Sequence, residues 1–248
     1  MAELWNSSKT SSPWGVKARG AIWPPMPSGP PEARCCSGPS GYSINQHSTT
    51  HHNMLQFITS HSDRYSLIQE VEMAIAGGCR WIELRMDHIA ADGRKAALKS
   101  AAAEINAICK DADAFLIING DVDLAIEVEC HGVHLNRDSM SPAEARDKMG
   151  PAAVIGVTVD SADDIIALKN KDIDYVTLDT DDINAIRETV TTVRQARVGI
   201  PIVAAGNADI ASIPALKAAG ANGIAASRSI IDADNPEDYT RRMLSALA

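Results

Sequence analysis

AFLIINGDVDLAIEVECHGVHLNRDSM, residues 114–140, is the stretch whose reading decides the fold. Phe115-Leu116-Ile117-Ile118 is an apolar run of buried-strand length, and Asn119-Gly120-Asp121 is a turn. Val122 to Val128 carries its apolar residues at helical spacing. Cys130-His131-Gly132 breaks that spacing, and Val133-His134-Leu135 starts a second strand. The stretch therefore reads strand–helix–strand. Its polar side chains Asn119, Asp121, Asn136, Asp138 and Ser139 collect just past the two strand ends. In parallel α/β proteins, chemistry sits on that face.

Outward from this unit the same alternation recurs from Met54 to the C-terminus. Strands are expected at 54–59, 81–85, 153–158, 175–178, 200–205 and 223–226. Helices are expected between them: from Ser62-Asp63 to about Ala76, from Gly93 to Cys109, and over 183–196 and 210–219. Ser141-Pro142-Ala143-Glu144 is a capping box with proline at the first helical position, and Ser161 opens the helix that follows. Ser227–Ile231 reads as a short extra helix and Asn235-Pro236 as the start of the last one. The strands are short, β-branched and apolar on both faces, as in a parallel sheet covered by helices. Eight strand–helix pairs in 195 residues predict a compact (β/α)8 TIM barrel. An open doubly wound sheet is the alternative, but its G-x-G-x-x-G fingerprint is absent.

Residues 1–53 differ in kind. They hold seven of the 12 prolines, show neither helical nor strand periodicity, and lack the apolar core of a secretory signal. Disorder is expected there, and Met54 is a candidate start that would leave this Pro/Gly/Ser-rich tail non-native to the folded domain, 54–248. His47, His51 and His52 in the tail read as incidental. The whole chain carries a net charge of −9, the tail +2 and the domain −11, which argues against a nucleic-acid partner. No apolar run reaches the roughly 20 residues that a membrane span needs. Of five cysteines none forms a CxxC pair; Cys79, Cys109 and Cys130 flank apolar segments and read as buried thiols of a reducing, cytoplasmic compartment.

Candidate chemistry gathers at strand ends. Gly206-Asn207 after the seventh strand and Ser227-Arg228-Ser229 after the eighth stand where TIM barrels commonly hold phosphate. Alternation turns Glu83 and Arg85 of the second strand to the same side, the lumen, either as an ion pair or reaching up to an anionic ligand. Asp87, Asp121, Asp138, Asp160, Asp179, Asp181 and Asp182 are acids at strand ends; two of them converging could hold Mg2+, and an acidic rim is the plain alternative. His134, inside the fourth strand, reads as a packed or hydrogen-bonded histidine rather than a base.

Several short motifs, in order, resemble the thiamine-phosphate synthase family with its thiazole tautomerase branch: GGCRWIELR (77–85), LIINGDVDLA (116–125), HGVHL (131–135), SPAEAR (141–146), IGVT (155–158), IPIVAAGN (200–207) and GANGIAASRSI (220–230). The resemblance implies a TIM barrel that joins hydroxymethylpyrimidine diphosphate to thiazole phosphate with Mg2+ and releases diphosphate. It implies catalytic roles for Arg85, Asn119 and Thr158. It implies phosphate contacts from Gly206, Ser227 and Ser229, with Asn207 where the family has a second glycine; Glu83 and Arg228 join them as candidate substrate contacts by their positions at the strand ends. The family's two metal aspartates fall on Gly120 and Ser139, so Asp121 and Asp138, each one residue away, are the carboxylates left to hold Mg2+. The family's strand-two glutamine and lysine read Glu83 and Asp87, and the loop after strand six is shortened. Partners are then small phosphorylated pyrimidine and thiazole compounds, with a homodimer open to the chain. A thiazole-tautomerase-like isomerase and a non-catalytic binder of a phosphorylated thiazole are the alternatives.

Overall fold

A computed structural model describes residues 54–60, 62–85, 95–180 and 182–248. The tail 1–53, with its histidines and with Cys35 and Cys36, lies outside the described residues, as do Asp87 and Asp181. Eight parallel strands close a barrel in sequence order: β1 Met54–Ile58, β2 Trp81–Leu84, β3 Phe115–Asn119, β4 Gly132–Leu135, β5 Val154–Val159, β6 Tyr175–Asp179, β7 Ile202–Ala205 and β8 Gly223–Ala226. β8 closes onto β1, with Leu55 opposite Ile224. Helices α1 Leu67–Ala76, α2 Lys95–Asp111, α3 Val122–Glu127, α4 Pro142–Met149, α5 Ala162–Ala167, α6 Ile183–Gln195 and α7 Ile213–Ala218 connect successive strands. α8 Arg228–Ile231 and α9 Pro236–Leu247 follow β8. No helix among the described residues is long and apolar enough to cross a membrane.

Period-two alternation splits each strand between two cores. One set of side chains, including Phe57, Ile82, Leu84, Leu116, Ile118, Val133, Leu135 and Ile155, packs outward against the helices. The other fills the lower lumen with Trp81, Ile117, Val154, Tyr175, Val203 and Ala225. Cys79 and Cys109 are fully buried and Cys130 half-buried, all as free thiols. Burial raises Cys79 and Cys130 to about 11 and Cys109 to about 12, so they stay protonated and inert.

Helix starts follow hydrogen bonds that propensity alone does not show. α4 has the expected Ser141–Glu144 box, and Asn235 caps α9 through the Asp238 N–H. α1, by contrast, begins after Ser66 rather than Ser62-Asp63, because Ser66 and Gln69 form the box. The Ser62 hydroxyl is taken by the Tyr65 N–H, and the buried Glu70 carboxylate receives the Ser60 N–H, the Ser60 hydroxyl and the Ser62 N–H at 2.8–3.0 Å. α7 begins at Ile213 rather than Ile210, since Asp209 and Ser212 exchange hydrogen bonds that hold 209–212 as a turn.

Candidate active site

Among the described residues a cavity opens at each end of the barrel. The one at the N-terminal end, about 320 Å³, is lined by Met54, Leu55, Gly78, Arg80, Trp81, Phe115, Ile117 and Leu244. Arg80, the charged residue among the described residues that line it, is spent on the carbonyls of Ile75 and Cys79. The cavity at the C-terminal ends of the strands, about 350 Å³, is polar, and Glu83, Arg85, His134, Asn136, Thr158, Thr177, Asp179, Gly206, Asn207 and Ser227 line it. This second cavity is the one that gathers polar and ionisable side chains.

Its floor is a closed ring of hydrogen bonds. The two hydrogens of the Gln56 amide go to Glu83 Oε2 (2.7 Å) and the Tyr175 hydroxyl (3.1 Å). Burial, and then the nearby Glu83 charge, push the Tyr175 phenol well above its usual range, so it keeps its proton and donates it to His134 Nδ1 (2.9 Å). Burial lowers His134 below 6.5 and outweighs the opposing pull of Glu83, so the ring is neutral. Its single proton then sits on Nε2 and is donated to Thr158 Oγ1 at 2.8 Å. Thr158 donates to Asn136 Oδ1 (3.5 Å), Asn136 Nδ2 to Asn119 Oδ1 (2.7 Å), and Asn119 Nδ2 to Glu83 Oε1 (2.6 Å). Every donor thus traces back to the Gln56 amide, and every acceptor chain ends on the Glu83 carboxylate. The assignment is over-determined, which holds these side chains in one arrangement.

Room for the ring comes from one glycine. Gly156 on β5 lies opposite Tyr175 on β6. A Cβ there would sit 2.1 Å from Tyr175 Cζ. The absent side chain is what lets the tyrosine cross the lumen.

Above the floor, Arg85 leaves the end of β2 with its backbone pinned at both polar groups. Its N–H donates to Thr59 Oγ1 (3.0 Å), and the Thr59 hydroxyl donates to its carbonyl (3.3 Å). On the far wall, Gly206 adopts φ +128°, a left-handed backbone that favours glycine, at the end of β7. The Ser227 hydroxyl caps nothing and lines the cavity after β8.

The remaining sequence candidates fall elsewhere. Arg228 is exposed and pairs with Asp232 at 3.1 Å along α8, and neither it nor Ser229 lines the cavity. Asp121 caps α3, accepting the Leu124 N–H at 2.9 Å. Asp138 is exposed in the loop after β4. The positions that carry the family's metal aspartates do meet: a Cβ on Gly120 would lie 4.0 Å from Ser139 Oγ. They meet as glycine and serine, and the serine hydroxyl accepts the Asn136 N–H at 3.0 Å. Among the described residues no three His, Cys, Asp or Glu side chains group as a metal centre. Positions 120 and 139 themselves therefore offer a Mg2+ ion no carboxylate. Gln56, Tyr175 and Thr177 went unread in the sequence. The signal for each was a polar residue at inward parity within an otherwise apolar strand.

Fold and site together define a (β/α)8-barrel protein with a polar ligand cavity at the C-terminal mouth. The family model described as thiamine monophosphate synthase matches residues 55–230, and the chain belongs to that family. It is 31% identical over 204 residues to the thiamine-phosphate synthase of Bacteroides thetaiotaomicron, covering 77% of this chain and 96% of that protein. The thiamine-phosphate synthase of Bacteroides fragilis strain YCH46 is 33% identical over the same length, covering 77% of this chain and 98% of the relative. Among solved structures, the thiamine phosphate pyrophosphorylase of Pyrococcus furiosus superposes with a TM-score of 0.70 at 20% identity, covering 80% of this chain and 96% of that one. That likeness concerns the fold.

Proposed function

We propose that this protein acts in thiamine biosynthesis as a synthase-type transferase, joining hydroxymethylpyrimidine diphosphate to thiazole phosphate and releasing diphosphate. The observation that carries this reading is the mouth cavity, built by a chain that matches the synthase family over 55–230. In this reading Gly206, Asn207 and Ser227 receive the thiazole phosphate through backbone and hydroxyl donors. Arg85, held by Thr59, faces the diphosphate and takes up charge as it leaves. The hydrogen-bond ring from Gln56 to Glu83 fixes Asn119 and Thr158 against the reacting pyrimidine. No step is assigned to Mg2+.

One observation favours a second reading: the paired positions 120 and 139 carry no carboxylate. On that reading the cavity holds a phosphorylated thiazole without turning it over. A single experiment separates the two. The full chain is incubated with both synthase substrates and Mg2+, thiamine phosphate is quantified, and thiazole phosphate binding is measured by calorimetry. Product formation supports the transferase. Binding without product leaves the second reading, and neither binding nor product sinks both.

A further inference from the structure

The inward-facing residues of β6 rise through the cavity as Tyr175, Thr177 and Asp179, two residues and so roughly 6.6 Å apart. Tyr175 is absorbed into the ring below. The two above it are not. Thr177 is 5% exposed and lines the cavity, yet its buried hydroxyl has no hydrogen-bond partner among the described residues. Asp179 lines the same wall at the solvent edge, with no hydrogen bond or ion pair to any described residue. A buried hydroxyl without a partner is costly unless something supplies one. A ligand in the cavity is that supply.

Charge decides what kind of group the ligand offers there. The ionisable groups lining the cavity are Glu83, Arg85, His134 and Asp179. His134 is neutral, and both Glu83 oxygens are already taken by Gln56 and Asn119. Arg85 stands on β2, four strands from β6 in either direction round the barrel, and so on the opposite wall. Among the described residues that line the cavity, no cation therefore stands on the β6 wall beside the Asp179 carboxylate. An anion alone is repelled there, whereas a ligand that is anionic at one end and cationic at the other is matched at both.

Resting on the phosphate placement proposed above, we infer that the Thr177–Asp179 edge is a specificity element. It selects a phosphomonoester whose heterocycle carries a positive charge over one whose heterocycle is neutral. The phosphate lies toward β7 and β8, the cationic ring lies over β6, and Asp179 supplies the counter-charge while Thr177 bonds the ring's polar edge.

The test uses two probes that differ by one methyl group and one charge: thiazole phosphate and its N-methylthiazolium counterpart. Both are titrated calorimetrically into the full chain and into Asp179→Asn and Thr177→Val. An ion pair at about 5 Å in a half-solvated cleft corresponds to roughly a tenfold preference. The parent chain is expected to bind the cationic probe about tenfold tighter. Asp179→Asn should bring the two probes within about threefold, with thiazole phosphate bound at least as tightly as by the parent, and Thr177→Val should weaken both. Asp179 is exposed and unbonded, so its replacement leaves the fold intact, which a melting curve checks. Equal affinity for the two probes in the parent, or a preference that survives Asp179→Asn, overturns the inference and leaves the phosphate placement standing. Failure of both probes to bind the parent overturns the phosphate placement and this inference with it.

Discussion

Gly156→Ala is the smallest change that should dismantle the floor of the site. The added methyl would lie 2.1 Å from Tyr175 Cζ, 2.4 Å from its hydroxyl and 2.5 Å from Cε1. Ordinary carbon contacts are about 3.5–4.0 Å, so the ring must retreat by more than an ångström. Trp81 stands edge-on behind it, with centroids 4.7 Å apart, and the hydroxyl is held by Gln56 and His134. Overpacking of this kind costs about 1–3 kcal/mol. Pulling the hydroxyl out of the ring leaves His134 Nδ1 buried without a donor, at a further ~1–3 kcal/mol. The sum is about 2–6 kcal/mol, which for a domain of this size lowers Tm by roughly 4–24 °C. Thermal and urea unfolding of the full chain, followed by far-ultraviolet circular dichroism, measure it. Tyr175→Leu removes the atoms the methyl strikes, so the double variant should lose about 2 kcal/mol less than the sum of the two single changes. A Gly156→Ala protein that melts within about 2 °C of the parent would refute the steric argument, and with it the claim that this glycine makes room for the ring.

Other expectations follow from the same geometry. Burial lowers both His134 and His131 below 6.5, so the unfolded chain binds more protons than the folded one between each folded value and 6.5. Stability is then full above 6.5 and falls as pH drops through that window, by up to about 1.4 kcal/mol per pH unit for the buried His134 and less for the partly exposed, solvent-screened His131. Urea midpoints from pH 7.5 to 5 check it, and a midpoint rising on acidification would contradict it. Thr59→Val removes both bonds to the Arg85 backbone and should weaken pyrophosphate binding about three- to tenfold while Thr59→Ser retains it; calorimetry distinguishes the two. The parent chain should not bind Mn2+ in a paramagnetic resonance titration, whereas Gly120→Asp with Ser139→Asp should create a site, since the two positions meet and aspartate tolerates the left-handed backbone at 120. Tight Mn2+ binding by the parent would show that ligands other than these two positions hold a metal.

The barrel was legible in the sequence because it rests on local signals: short β-branched runs, capping residues and glycine stops each reveal themselves within a few residues. The mouth was legible in part. Glu83 and Arg85 were placed by alternation along a single strand, and both line the cavity. The ring was not legible, because Gln56, Glu83, Asn119, His134, Asn136, Thr158 and Tyr175 come from six strands and only closure of the sheet brings them together. The same alternation applied to β1 and β6 would have flagged Gln56, Tyr175 and Thr177 as inward-facing. Arg228 stands beside β8, where a cation suits an anion, and its guanidinium pairs with Asp232 one turn on, a contact that position alone does not reveal. Asp121 likewise is a helix cap before it is anything else.

On the proposed function, the cavity above the Gln56–Glu83 ring is where this thiamine-family barrel receives its phosphorylated ligand. Calorimetric titration of thiazole phosphate into the full chain, the Ser227→Ala protein and the Arg85→Ala protein tests it most directly. The account predicts one site per chain, with affinity about three- to tenfold weaker in Ser227→Ala and little changed in Arg85→Ala, whose cation faces the other substrate. Absence of binding to the parent chain, or undiminished binding by Ser227→Ala, would contradict it.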